Sequence, residues 1–213
     1  MSQTITHAQI LHESIKTNNL PLFKWIISKD ASLMPHCEDV CMIFEDNWSD
    51  EQIMHLISCY HSVFEKAYSI IVEWSEDPIP SFFETDLKSH GKELFDKMSS
   101  YFFDIMEEMS EKAAEYGRLP IIEILESQGF FDYQTIFQIA CFNANKHIIE
   151  WALAKGAIVN QESVINAAVS GSLELIEYLV SINNNLDLSK IWMKAEDGEH
   201  FITAAILKKK YAN

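Results

Sequence analysis

The sequence predicts an all-α protein, a solenoid of about six stacked antiparallel helix pairs with irregular, longer helices in the middle. Three observations carry this expectation. A pattern recurs at a fixed spacing: Ala113, Ala140 and Ala167 lie 27 residues apart, and so do Glu123, Glu150 and Glu177. A fixed period of this order marks supersecondary units that stack on one another. The second half of each copy carries apolar residues at i, i+1, i+3 and i+4, as in Ile121, Ile122, Ile124 and Leu125, which is the buried stripe of an amphipathic helix. Finally, 6 Gly and 5 Pro in 213 residues are too few for a turn-rich β fold, and 48% hydrophobic residues exclude disorder.

Within each copy the elements have local causes. The first helix ends in Ala113-Ala114, Ala140-Cys141 or Ala167-Ala168, where small side chains let neighbouring helices approach. Gly117 and Gly171, with Ala144 in the middle copy, then stand where the chain needs a positive φ to reverse. The second helix follows, with Glu123, Glu150 and Glu177 marking its solvated edge. Gly129, Gly156 and Asn183 are expected to close it as C-caps. No unit of this size buries its apolar stripe alone, so neighbours must stack.

These residues resemble the ankyrin repeat, whose consensus runs T-P-L-H-x-A-A-x-x-G-H-L-E-I-V-E-L-L-L-x-x-G-A. The stretch Gly171-Ser172-Leu173-Glu174-Leu175-Ile176-Glu177-Tyr178-Leu179 follows its second half. Two departures stand out: the period falls short of the family's 33 or so residues, and the Thr-Pro of the turn is missing. The resemblance implies a trimmed β-hairpin finger between repeats. It also implies a concave binding surface built from first helices and loops, which by position points to Tyr116, Gln138, Phe142, Asn143, Asn166 and Ser170.

The N-terminus repeats the template. Leu11 to Asn18 fits L-H-x-A-A-x-x-G with Asn18 at the positive-φ position, where Asn is the usual second choice. By the resemblance, His12 braces a turn. Asn19 to Asp30 then aligns with Arg118 to Gly129, each with Leu-Pro entering the second helix, where Pro suits a first turn. Ser14 and Ala113 are 99 residues apart, room for three units of the family's length.

The middle is less regular. Asp39 to Phe44 and Asp50 to Tyr60 form a degenerate pair, with Ser49 as N-cap and Asp50-Glu51 in the first turn. Ser62 to Trp74 reads as a longer helix ended by Asp77-Pro78, Ser81 to His90 as another, and Lys92 to Tyr116 as a long one with Ile105, Met106 and Met109 on its apolar face. The expected organisation is an N-terminal pair over 1–36, acidic degenerate repeats or an insertion over 37–112, and repeats with a C-terminal cap over 113–213, in one continuous domain. At the end, Ser189 to Lys194 reads as a short helix. A turn at Asp197-Gly198 and a polar final helix follow, with Lys208, Lys209 and Lys210 in the last turn complementing the helix dipole.

Net charge is −16 and uneven: residues 38–115 hold 19 Asp/Glu against 5 Lys, and Arg118 is the only arginine. Such a field repels nucleic acid and anionic membranes and favours a basic protein partner, or serves simply as a solvated surface. Four Cys in a chain of this length do not make a disulfide scaffold. The N-terminus carries no basic and apolar leader pattern, and no run approaches the ~18 apolar residues of a membrane span. The expectation is a soluble protein in a reducing compartment, the cytoplasm of its own cell or of a host.

Chemistry finds little support. His36-Cys37-x3-Cys41 with His55-x3-Cys59-x-His61 is the one candidate for a zinc site, which needs four ligands held tetrahedrally. The spacing lacks a C-x2-C pair, and Cys more often serves as a small buried hydrophobe. Glu107, Glu108, Glu111 and Glu115 share a helix face that reads as solvated, without the Glu-x-x-His motifs of di-metal bundles. Cys141 falls in a helix-packing slot. No phosphate loop, nucleophile elbow or kinase set occurs. No cofactor is expected. The aromatic loop Phe130-Phe131-Asp132-Tyr133 supplies either staples for the next repeat or anchors for a partner.

The expected function is therefore protein–protein interaction, as an adaptor, inhibitor or effector-type binder without chemistry of its own. Oligomeric state is left open. Two alternatives stand: an enzymatic or metal-dependent helical domain in 38–115 carried by targeting repeats, or a structural subunit of a larger assembly, which an apolar patch with tight self-association would favour.

Overall fold

In a computed structural model of the chain, residues 6–29, 37–45, 48–58, 100, 103–127 and 131–211 are described. They are helical, with no strand among them. The helices are α1 (His7–Lys16), α2 (Leu20–Lys29), α3 (Cys37–Glu45), α4 (residues 50–58), α5 (residues 103–115), α6 (Leu119–Ser127), α7 (Tyr133–Phe142), α8 (Lys146–Ala154), α9 (Gln161–Val169), α10 (Leu173–Ile182), α11 (Ile191–Asp197) and α12 (Phe201–Tyr211). The expected helices over Ser62–Trp74 and Ser81–His90, and the start of the one from Lys92, lie outside the described residues. The chain divides into two compact units, Met1–Met109 with Ser127–Phe130, and Ser110–Glu126 with Phe131–Asn213.

In the first unit, α1 opens with a capping box in which Thr6 Oγ1 accepts from Gln9 N–H and Gln9 Oε1 accepts from Thr6 N–H. Asn18 takes φ +47°, as its place in the template predicts. Asn19 Oδ1 then accepts from Leu22 N–H at 3.1 Å, so Pro21 sits in a capped first turn. Ser49 and Gln52 form the same reciprocal cap on α4, at 2.9 and 3.3 Å. α1 packs on α2 and α3. Leu11, Ile15, Phe23, Ile26, Val40, Ile43 and Phe44 are buried, and Phe23 meets Trp48 edge-on at 6.4 Å. Ile105, Met106 and Met109 of α5 are buried in the register that their spacing predicts.

The second unit carries the 27-residue pattern into three dimensions. Ile121, Ile148 and Leu175 are buried, as are Ile122, Ile149 and Ile176, and Leu125, Ala152 and Leu179. Glu123, Glu150 and Glu177 are exposed. Each buried Ile or Leu side chain contributes about 1.5–3 kcal/mol. Gly117, Ala144 and Gly171 have φ of +71°, +54° and +74°. α7 packs on α8, α9 on α10 and α11 on α12, while α7 packs on α9 and α9 on α11.

Polar side chains tie one pair to the next. Asn145 Nδ2 donates to the carbonyls of Ala114 and Glu115 at 2.7 and 2.9 Å, and His147 Nε2 lies 2.9 Å from the Gly117 carbonyl. Gln134 holds the backbone of Ile158 by two bonds, at 2.9 and 3.1 Å. Gln161, 27 residues on, holds Asp187 in the same way at 2.9 and 3.0 Å.

Two local expectations are corrected, while the helix caps largely stand. Gly156 follows α8 with φ +105°, as a C-cap glycine should. Asn183 is the C-cap of α10, its N–H donating to the Leu179 carbonyl, with extended backbone and its Nδ2 donating to the Val159 carbonyl at 2.9 Å. Gly129 is outside the described residues. α11 starts at Ile191 rather than Ser189, since Asp187 Oδ1 accepts from both Ser189 N–H and Oγ–H and holds that segment as a turn. The final helix is not polar: Phe201, Ile202 and Ile206 are exposed on it. Its last turn does carry Lys208, Lys209 and Lys210.

Candidate functional site

The residues expected on the binding face separate into two kinds. The polar ones are occupied within the fold. Gln138 Nε2 donates to Glu162 Oε2 at 2.9 Å, and its carbonyl accepts from Asn166 Nδ2 at 3.3 Å, so both join α7 to α9. Asn143 Nδ2 donates to the Ile139 carbonyl and Ser170 Oγ to the Ala167 carbonyl, each closing its own helix end. The aromatic ones project outward. Phe142 is 51% exposed at the end of α7, and Tyr116 is 41% exposed at the end of α5. Both stand beside a left-handed turn that fixes where the helix ends.

Two of the loop aromatics, Phe131 and Tyr133, make staple contacts within the fold. Phe131, Tyr133 and Trp151 form a ring cluster with centroids 5.2, 5.3 and 5.8 Å apart. Around it, Glu126 Oε1 accepts from Tyr133 OH at 2.7 Å and from Lys155 Nζ at 2.6 Å, and Lys155 lies over the Trp151 ring. The Lys155 bond, then the Tyr133 bond, hold the Glu126 carboxyl below its ordinary range. Glu126 in turn raises both Lys155 and Tyr133. Phe130 lies outside the described residues. Trp151 is the member that sequence reasoning missed. It occupies the half-buried slot held by Ile124 and Tyr178 in the neighbouring copies, and an aromatic there is the available signal.

His12 Nδ1 lies 2.6 Å from Oδ1 of buried Asp39, so it braces α1 against α3 rather than a turn. Among the described residues, no group of three or more His, Cys, Asp or Glu side chains could hold a metal ion. Of the zinc candidates, His36, Cys59, His61 and the side chain of Cys37 lie outside the described residues. Cys41 Sγ is 4.0 Å from Glu108 Oε1, and His55 is half-buried on α4. On the acidic face, Glu107 is exposed, Glu108 and Glu111 are half-buried, and Glu115 pairs with Lys112 at 2.8 Å. Cys141 is a free, buried thiol. Burial pushes the Cys141 thiol up to about 12, which makes it inert as a nucleophile.

Sequence reasoning also missed a run of exposed apolar side chains late in the chain: Ile158, Ile182, Met193, Phe201, Ile202 and Ile206. No described helix is long and apolar enough to cross a membrane. Comparison with known protein families, with curated proteins and with solved structures finds no match for this chain.

Proposed function

We propose that this chain is a protein-binding module, an ankyrin-like stack of helix pairs that recognises another protein and carries no chemistry of its own. The observation that carries the reading is the pair of outward aromatics, Tyr116 and Phe142, at the ends of successive first helices. Aromatic side chains on a rigid helical platform are the usual anchors of an interface, because they present large area at little cost in conformational entropy. Gln138, Asn143, Asn166 and Ser170 hold that platform in place. The net charge of −16 favours a basic partner, drawn in by long-range attraction. The free thiol of Cys141 suits a reducing compartment such as the cytoplasm.

The test is an affinity capture with the purified chain across a salt series, repeated with Tyr116→Ala/Phe142→Ala. A basic partner should be retained at low salt and released as salt rises. The double variant should fold normally and lose about 10-fold or more in affinity. A partner held equally well by the double variant would remove these aromatics from the interface and overturn the reading.

A further inference from the structure

A stack of repeats needs something at its last pair that stops further stacking. A polar final helix does not supply it here, since Phe201, Ile202 and Ile206 are exposed on α12. The left-handed turns at Gly117, Ala144, Gly171 and Glu199 set α5, α7, α9 and α11 in one register. In each, the N–H of the turn residue donates to the carbonyl three residues back, which belongs to Ala114, Cys141, Ala168 and Glu196 respectively. Ala114, Cys141 and Ala168 are fully buried, whereas Glu196 is exposed. One turn earlier stand Ser110, Phe137, Val164 and Trp192. The first three are buried, and Trp192 is half-buried.

These two slots face the pair that follows. α9 packs on α7 and α11 on α9, and both slots are buried in α7 and α9. The other inward positions, Ser163 and Ala167 in α9, stay buried as Ile191 and Ala195 in α11, so the forward side alone is uncovered. The second helices change at the matching place. Ala204 N–H donates to the His200 carbonyl as Ile176 N–H does to Ser172 and Ile149 N–H to Asn145. One turn further on, half-buried Leu153 and Val180 give way to exposed Lys208. Lys208 Nζ lies 4.0 Å from the centre of the Trp192 ring. The ring that a further pair would cover therefore already carries an ammonium group, with the lysine stem along it.

We propose that Glu196 and Lys208 form a charge block on the end of the stack, which keeps a further helix pair, of this chain or of a second copy, from packing on α11 and α12. Small residues at the first slot let successive first helices approach. A neighbour stacked on α11 would have to bury the Glu196 carboxylate in that slot and lift Lys208 off Trp192 into surroundings without water. Burying either charge without a partner is unfavourable. The block thus fixes the length of the face that the first helices offer, and it prevents growth end to end. It holds whichever partner that face takes.

Sedimentation velocity on the full chain, set against Glu196→Ala/Lys208→Val, tests this. The double change places the residues of the preceding pair, Ala168 and Val180, at two exposed positions, so circular dichroism should be unchanged. It also uncovers Trp192 beside a small slot. The expected result is self-association about 10-fold or more stronger than in the unchanged chain, with each single change falling between. Adding Ile202→Glu should leave that association intact, because Ile202 points away from the end of the stack. A double variant that sediments like the unchanged chain would overturn the proposal. Association that Ile202→Glu removes would do the same, since the contact would then run through the outer face of α12.

Discussion

Replacing Gly171 by Ala should damage the second unit more than the same change at Gly117, although both glycines occupy the same turn of the repeat. At Gly171 the backbone has φ +74°, and a Cβ would stand 2.3, 2.5 and 2.6 Å from three atoms of the His200 ring. At Gly117 the φ is +71°, but the nearest atom is Asn145 Oδ1 at 3.3 Å. The left-handed backbone alone costs an L-residue about 1–2 kcal/mol. Against this, Ala restricts the unfolded chain and recovers about 0.4–1 kcal/mol. Gly117→Ala should therefore destabilise by about 0.5–1 kcal/mol. Gly171→Ala must also drive His200 out of its rotamer, which raises the expected loss to about 1–3 kcal/mol. Ala144 shows that a Cβ is tolerated at this turn, at φ +54°. Ala144→Gly, the reverse change at the equivalent turn, should stabilise by about 0.5–1 kcal/mol. Urea unfolding followed by far-ultraviolet circular dichroism measures all three. In Gly171→Ala/His200→Ala the steric part should vanish, leaving a loss like that of Gly117→Ala. If Gly171→Ala is no worse than Gly117→Ala, or if removing His200 recovers nothing, the steric reasoning is refuted.

Other expected outcomes follow from the polar contacts. Cys141, buried and with its thiol pushed up to about 12, should resist iodoacetamide in the folded protein at neutral pH and react once urea unfolds it; fast native-state labelling at Cys141, located by peptide mapping, would contradict its burial. The Glu126 carboxyl is depressed by Lys155 and Tyr133, so its share of the stability is present above the unfolded-state value and is lost as pH falls through the lower folded value. The acid limb of the stability profile should accordingly be shallower in Glu126→Gln from about pH 4.5 downward, and an unchanged limb would deny the linkage. Gln134→Ala removes both bonds to Ile158 and should cost about 1 kcal/mol, because the site is exposed to water. Gln134→Glu should cost more, since a carboxylate cannot donate to the Ile158 carbonyl, and hydrogen exchange at Ile158 N–H reports both changes.

The helical character of the chain was legible because its signals are local. The apolar spacing in Ile121 to Leu125 reappears as buried side chains, and Ser49 before Asp50 reappears as a reciprocal cap. Asn18, Ala144 and the two turn glycines adopt the left-handed backbone that their place in the template requires. The candidate site was less legible. Gln138, Asn143, Asn166 and Ser170 stood out only by their place in the repeat, and each makes a hydrogen bond within the fold that its position does not announce. Phe131 and Tyr133 were open to stapling or binding, and both rings meet Trp151 within the fold.

By itself, then, the sequence determined the helical character of the described residues, the left-handed turns and the inward stripe of the repeated helices, since a 3.6-residue period and a positive-φ position are properties of a few adjacent residues. Only the tertiary structure decided which polar groups are consumed between neighbouring helix pairs, and which apolar ones are left outside. Asn145 reaches carbonyls 30 and 31 residues away, Gln134 grips a backbone 24 residues away, and His12 meets an aspartate 27 residues away. Such meetings depend on how whole helices stack, and no local window of sequence contains them. The same reason hid the outer face of α12. The sequence reads that helix as polar, whereas Ala204 and Leu207 take its buried side and leave Phe201, Ile202 and Ile206 exposed.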